Sequence, residues 1–353
     1  MAPPGILSAA LGLAIASMTQ GAERSVAPGF PPRLEEYLAK SVAITAGERK
    51  TLLAGAPVTK LLDGDEGKEI GVFGAVWVDA PVQRYVEAIT DIERFERGGG
   101  FRATRRISAP PTTDDFADLR LPEGDLKDLR GCRIGDCVVK LDEETIRTLR
   151  ADVDWKTPGA GAAADGVMQR FALRLVNAYL EGGNARLAVY RDHSRPTSAA
   201  EEFGTMMDGV PELQLHMPSL RRYLLEYPAA GPPEPVSFLY WQLTEFGARP
   251  TIRISHVSVW QTPEGTAVAS KMLYASHYFL AALELRALVP DPSRGEGFWF
   301  VTVNRSRTDG LSGFTGRLIR GRVRSEVRKG MLAGLLATKR RLEMPAASRD
   351  GVF

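Results

Sequence analysis

After Val236 the chain is an almost continuous β pattern. SFLYWQLTEF, TIRISHVSVW, VASKMLYASHYFLAALELRALV and FWFVTVNRS follow one another with only short polar breaks. Runs of β-branched and aromatic residues bounded by Gly, Pro and Asp make strands, and short connections allow only antiparallel neighbours. Thr262-Pro263-Glu264-Gly265 suits one hairpin turn and Asp291-Pro292-Ser293-Arg294-Gly295 the next. These turns set registers. If Gln261 pairs with Thr266, His256 faces Lys271 and Ile254 faces Leu273; if Leu288 pairs with Phe298, Leu283 faces Val303. The run from Ser270 to Val289 is too long for one straight strand at about 3.3 Å per residue, so a bend is expected around His277.

Upstream, KEIGVFGAVWVDAPVQRYVEAITDIERFERGGG reads as a strand through Ile70, Phe73, Val76 and Val78. A helix follows, capped by Asp79 and opened by Ala80 and Pro81, with Tyr85, Val86, Ile89, Ile92 and Phe95 at helical spacing. Gly98 to Gly100 end it, and FRATRRIS is the next strand. Before this unit a helical pattern runs from Leu34 to Leu62 with a break at Gly55, and DGDEG is a polar turn lacking the closing Glu of a calcium loop. From Ala109 to Pro235 the β pattern lapses. A strong helix with Asp165 as its cap runs to Gly182-Gly183, ARLAVYRD suggests a strand, and short helices are expected near Met206 and over Leu220 to Tyr227. This stretch is read as an elaboration between sheet strands. The last element is a long helix with a stripe of Ile319, Val323, Val327, Met331, Leu335 and Leu342.

Strand, helix pair, antiparallel sheet and long C-terminal helix in this order resemble the helix-grip superfamily, which includes START-type lipid-transfer domains and polyketide cyclase-like proteins. The likeness is carried by Val76-Trp77-Val78-Asp79-Ala80-Pro81, by Asp91-Ile92-Glu93-Arg94-Phe95, by the hairpins after Val236 and by the final helix. It implies an α+β fold in which a curved antiparallel sheet wraps on the last helix, with a large mostly helical insertion. It also implies an apolar cavity between sheet and helix that holds a lipid-like molecule. The domain reading is a signal peptide at 1–22, a helical arm at 23–67, a START-like domain at 68–345 interrupted at 109–235, and a tail at 346–353.

Of the 353 residues, 44% are hydrophobic and 25% charged, and the net charge of +2 argues against a general nucleic-acid binder. The apolar run from Ile6 to Met18 is too short to span a bilayer, but it has the length of a signal-peptide core with cleavage positions after Ala16 or Ala22. No Lys or Arg precedes it, so a misassigned start or an amphipathic leader is the competing reading. The only cysteines, Cys132 and Cys137, lie outside C-x-x-C spacing and are expected to form a local disulfide in an oxidising compartment. Both observations point to a periplasmic or secreted protein.

No nucleophile elbow, H-E-x-x-H or phosphate loop occurs, and Gly310 to Gly316 is read as the loop into the last helix. His193, His216, His256 and His277 are scattered, so no metal and no cofactor is expected. Tyr274, His277 and Tyr278 form the best polar cluster, with two readings open: hydrogen bonds within packing, or the wall of a ligand cavity. Arg305 and Arg307 share a strand face and suit a carboxylate, or an internal ion pair. Trp299 belongs to the sheet aromatics that fit core and cavity wall alike. The expected ligand residues are therefore Tyr274, His277, Tyr278, Trp299, Arg305 and Arg307. The expected function is binding of a hydrophobic small molecule, with a cyclase, dehydratase or hydrolase reaction in the same cavity as the alternative. The basic residues of the last helix, among them Arg317, Arg320, Arg322, Arg324, Arg328 and Lys329, suit an anionic membrane surface or a solvated helix back.

Overall fold

Short turns make each strand after Val236 fold back on its predecessor. The computed structural model describes residues 29–344, except 66, 99, 232–234, 263–264 and 312; the leader and the tail lie outside the described residues. Helices α1 (Pro32–Lys40) and α2 (Ala46–Leu53) form an N-terminal arm leading to strands β1 (Val58–Leu62) and β2 (Glu69–Val78). The pair α3 (Val82–Thr90) and α4 (Ile92–Phe95) joins β2 to β3 (Phe101–Ile107). The insertion then contributes α5 (Glu123–Leu129), α6 (Glu143–Asp152), α7 (Ala160–Gly182) and a small ribbon of β4 (Val189–Tyr190) and β5 (Thr197–Ser198). Its last helices are α8 (Ala199–Asp208), α9 (Pro211–His216) and α10 (Pro218–Glu226). The meander follows as β6 (Val236–Phe246), β7 (Arg249–Thr262), β8 (Gly265–Ala275), β9 (Phe279–Pro290) and β10 (Phe298–Thr308), and α11 (Gly313–Glu343) closes the described chain.

The fold is α+β. One eight-stranded sheet has the order β1-β2-β10-β9-β8-β7-β6-β3, antiparallel throughout, so β2 lies beside the last strand. Both faces are covered. On one, Val76, Val78, Val257, Val268, Leu288 and Phe300 pack against Tyr85 and Ile89 of α3, Ile92 of α4 and Leu335 and Leu342 of α11. On the other, the arm covers Phe73, Trp299 and Val301, helices α8 to α10 cover Trp260, Ala267 and Leu283, and α6 and α7 cover Trp241, Ile254 and Tyr274. This explains why β2 and β8 are buried at every position after their first: neither face of these strands meets water.

Helix α11 is seated by its C-terminal third. A Cβ on Gly74 of β2 would lie 2.9 Å from Leu335 Cδ1 and from Met331 Cγ, so any larger residue would have to push these two side chains aside. Arg84 Nη1 donates to Leu342 O at 3.0 Å and Arg341 Nη1 to Phe95 O at 2.8 Å, tying the helix end to α3 and α4. Leu335 and Leu342 are buried, whereas Ile319 of the expected stripe is 43% exposed and Leu318 70%. The apolar stripe therefore exceeds the surface the sheet offers it.

Several local expectations change. The helical pattern ends at Leu53, and Val58–Leu62 pairs with β2 as an edge strand. The Ser270 to Val289 run is a hairpin, not a bent strand. Tyr278, at φ 62°, makes its turn without glycine. Three side chains hold it: Ser276 Oγ accepts from Ile252 N at 3.0 Å, Tyr278 Oη from Ala248 N at 3.1 Å, and His277 Nε2 meets Asp125 Oδ1 at 2.9 Å. Gln261 pairs with Thr266 and His256 with Lys271 as expected, but a bulge moves Ile254 opposite Tyr274. Leu288 pairs with Phe300 and Leu283 with Arg305, a slip of two residues that preserves the facing. Helix α3 is flanked by Pro81 without a side-chain cap, and Asp79 N donates instead to Glu343 Oε1. Helix α7 starts before Asp165, whose carboxylate accepts from Leu121 N at 2.8 Å. Cys132 and Cys137 are disulfide-bonded.

Candidate functional site

A cavity of about 570 Å³ lies on the sheet face opposite α11. Its floor is the alternation of three strands: Leu285, Ala287 and Val289 of β9, Val301 and Val303 of β10, and Ala267 of β8, with Trp260 of β7 at one side. Leu34 and Tyr37 of α1 and Leu213, Met217 and Leu220 from the end of the insertion complete the walls. Arm and insertion meet where the Tyr37 and His216 rings lie 6.1 Å apart, edge to face. Polar groups are few: Arg33, His216, Gln261, Thr266 and Arg305 among them. An apolar pocket of a few hundred Å³ with sparse polar groups is the usual form of a small-molecule site.

Of the expected ligand residues, Arg305 alone lines this cavity. Its Nη1 donates to Glu69 Oε1 at 2.6 Å, and Arg307 Nε donates to Glu202 Oε2 at 2.7 Å, so acids of the chain itself neutralise both guanidinium groups. Trp299 is fully buried between Phe30 and Trp77, its Nε1 donating to Asp291 Oδ2 at 3.1 Å. Tyr274 Oη donates to Lys140 O at 3.0 Å beneath the insertion. His277 and Tyr278 sit together at the β8–β9 turn. The six residues thus fall into several places rather than one site.

Two clusters carry titratable chemistry, the first half-buried and the second buried. On the α11 face, Glu96 accepts from Tyr240 Oη at 3.4 Å, and Glu284 accepts from Arg286 with Arg253 at 3.9 Å. Among the described residues neither Glu96 Oε2 nor Tyr85 Oη has a hydrogen-bond partner. Burial, reinforced by the charge of Glu284, pushes Glu96 up to about 7, and burial pushes Tyr85 up to about 12. Glu96 can therefore hold a proton near neutrality, the state a general acid requires.

Under the insertion, Lys271 is fully buried. Its Nζ donates to Asn184 Oδ1, to Leu224 O at 3.3 Å and to Tyr179 Oη at 3.4 Å, and it lies 4.4 Å from the Phe203 ring centre. Tyr179 Oη also meets His256 Nδ1 at 2.9 Å. Burial lowers Lys271 to about 7; burial and then the charge of Lys271 lower His256 to about 3. A Cβ on Gly183 would lie 1.6 Å from Tyr227 O, so glycine lets α10's end cross the end of α7 and stack Tyr227 on Tyr179. The sequence pairs His256 with Lys271, but without the insertion their neighbourhood is invisible. Asp192, His193 and Asp309 also converge, yet Lys140 Nζ already sits 3.2 Å from Asp192 and 2.6 Å from Asp309. No helix among the described residues is long and apolar enough to cross a membrane. No protein-family model matches the chain, and no curated protein matches it.

Proposed function

We propose that this chain is a helix-grip protein that binds a hydrophobic, lipid-like small molecule. The apolar cavity of about 570 Å³ carries the reading. The superfamily assignment is supported by the order of elements, from β2 through the α3–α4 pair to the meander and α11, and by the β2–β10 pairing. The site differs from the one the resemblance implies: it lies across the sheet from α11, built by the arm and the insertion. Export fits the disulfide. An anionic membrane is the proposed partner surface, through the outer side of α11, where Arg322, Arg328 and Lys329 accompany the exposed Leu318 and Leu332. Mass spectrometry of organic extracts from the native protein tests ligand binding. A stoichiometric apolar compound is expected, lost in Ala287→Trp, which fills the cavity floor. Extracts without such a compound, or an unchanged yield from a folded Ala287→Trp, would count against it.

The second reading, an enzyme of cyclase, dehydratase or hydrolase type, rests on Glu96 with its proton near neutrality beside Tyr85. It places chemistry on the α11 face. A folded Glu96→Gln variant that retains any turnover found for the wild type removes this reading.

A further inference from the structure

The ligand-binding reading of the first cavity leaves open how long a molecule it accepts, and the rings beside it bear on that. A second cavity, about 490 Å³, lies at the β3–β6 edge of the sheet, where Ile107, Leu239 and His256 face Leu180 and Tyr227. Pro235 and Val236 line the first, and the next residue, Ser237, lines the second. Four rings connect their walls. Trp260 belongs to the wall of the first cavity, and Tyr227 and His256 to the wall of the second. Tyr223 of α10 joins the two sides: its ring centre lies 5.8 Å from Trp260, 6.0 Å from His256 and 5.4 Å from Tyr227.

The partition is braced from behind. Tyr179 stacks on Tyr227 with ring centres 5.0 Å apart and shares a hydrogen bond with His256, while Lys271 supports Tyr179 in turn. Tyr223 has a different position. It is carried by the short helix α10, is 6% exposed, and bridges Trp260 to the braced pair.

We propose that this ring wall is the chain-length gauge of the site. A hydrocarbon chain held in the first cavity ends against Trp260, with Tyr223 packed behind it, and the second cavity is the space beyond the stop. The ligand class is accordingly an alkyl or acyl compound selected by length, and Tyr223 is the residue that sets the limit. This rests on the ligand reading above.

Isothermal titration of the full chain with saturated fatty acids, from octanoic to docosanoic acid, tests both levels. While a chain still fits, each added methylene raises affinity about fourfold, the equivalent of about 0.8 kcal/mol. In the wild type that rise should stop at a defined length. Tyr223→Ala and Tyr223→Leu open the wall to different degrees and should move the break to longer acids, further for Ala. Tyr223→Trp should hold it or shorten it. A break at the same length in every folded variant overturns the gauge while leaving the ligand reading intact. If no acid binds the wild type, the ligand reading fails and the gauge falls with it.

Discussion

Lys271 offers the sharpest test of the buried architecture, because among the described residues no carboxylate pairs with its charge. Its ammonium has three neutral oxygen acceptors and two aromatic faces. Burial lowers its pKa from 10.5 to about 7. Between those values the unfolded chain binds the proton and the folded chain releases it, so stability rises with pH across the window. Below about pH 7 both states hold the proton and this dependence ends. One pH unit inside the window corresponds to about 1.4 kcal/mol, and half-protonation at the lower end trims the total. From pH 7 to pH 10 the wild type should therefore gain about 3–4 kcal/mol relative to Lys271→Met. The variant also strips Asn184 Oδ1 and Tyr179 Oη of the lysine donor and leaves Leu224 O only the bond from Asn184 Nδ2 at 3.1 Å. That loss does not titrate with Lys271, so it shifts the variant's curve without tilting it. Urea unfolding followed by tryptophan fluorescence at several pH values measures the difference, given coincident transitions by circular dichroism. Parallel stability curves for the two proteins would refute the assignment of a proton-free lysine.

Leu335→Asp should destabilise the fold by about 3–5 kcal/mol, because it puts a charge into the contact with Gly74. Leu318→Asp, on the exposed part of the same helix, should leave the melting temperature unchanged; equal losses would mean that α11 is seated along its whole length. His277→Ala deprives the buried Asp125 of its 2.9 Å partner and should cost about 3 kcal/mol. Ligand still present at normal stoichiometry in the surviving protein would assign His277 to the scaffold, whereas loss of ligand without loss of stability would assign it to binding. Intact mass of protein from its native host should show a shortened N-terminus and no alkylation of Cys132 or Cys137 before reduction; an unprocessed chain with two reactive thiols contradicts export.

The meander was legible because hairpin turns and β-rich composition are local signals. Two misses have local causes as well. Val58-Thr59-Lys60-Leu61-Leu62 is short and follows two helices, and only its pairing with β2 makes it a strand. The β8–β9 turn contains neither Gly nor Pro, since Tyr278 accepts positive φ under the hold of Ser276, His277 and its own hydroxyl. Punctuation cannot be read where tertiary hydrogen bonds do the turning.

The site was hidden for a different reason. Alternation in a sequence says which residues share a face, but not what will cover that face. Alternation puts Arg305 and Arg307 on one face, and a ligand carboxylate is one fair partner for them; Glu69 and Glu202, 236 and 105 positions away, supply the charge instead. Leu285, Ala287, Val301 and Val303 read as ordinary core, which most of their neighbours are. They become a floor because the arm and the insertion, far apart in the chain, meet above them without closing the gap. Lys271 was the signal open to a stricter reading. A lysine in an apolar strand on a face shared with His256 is too costly to bury against plain hydrocarbon. It required the insertion to bring oxygens and rings to that face, and the same rings then divide the space beside it.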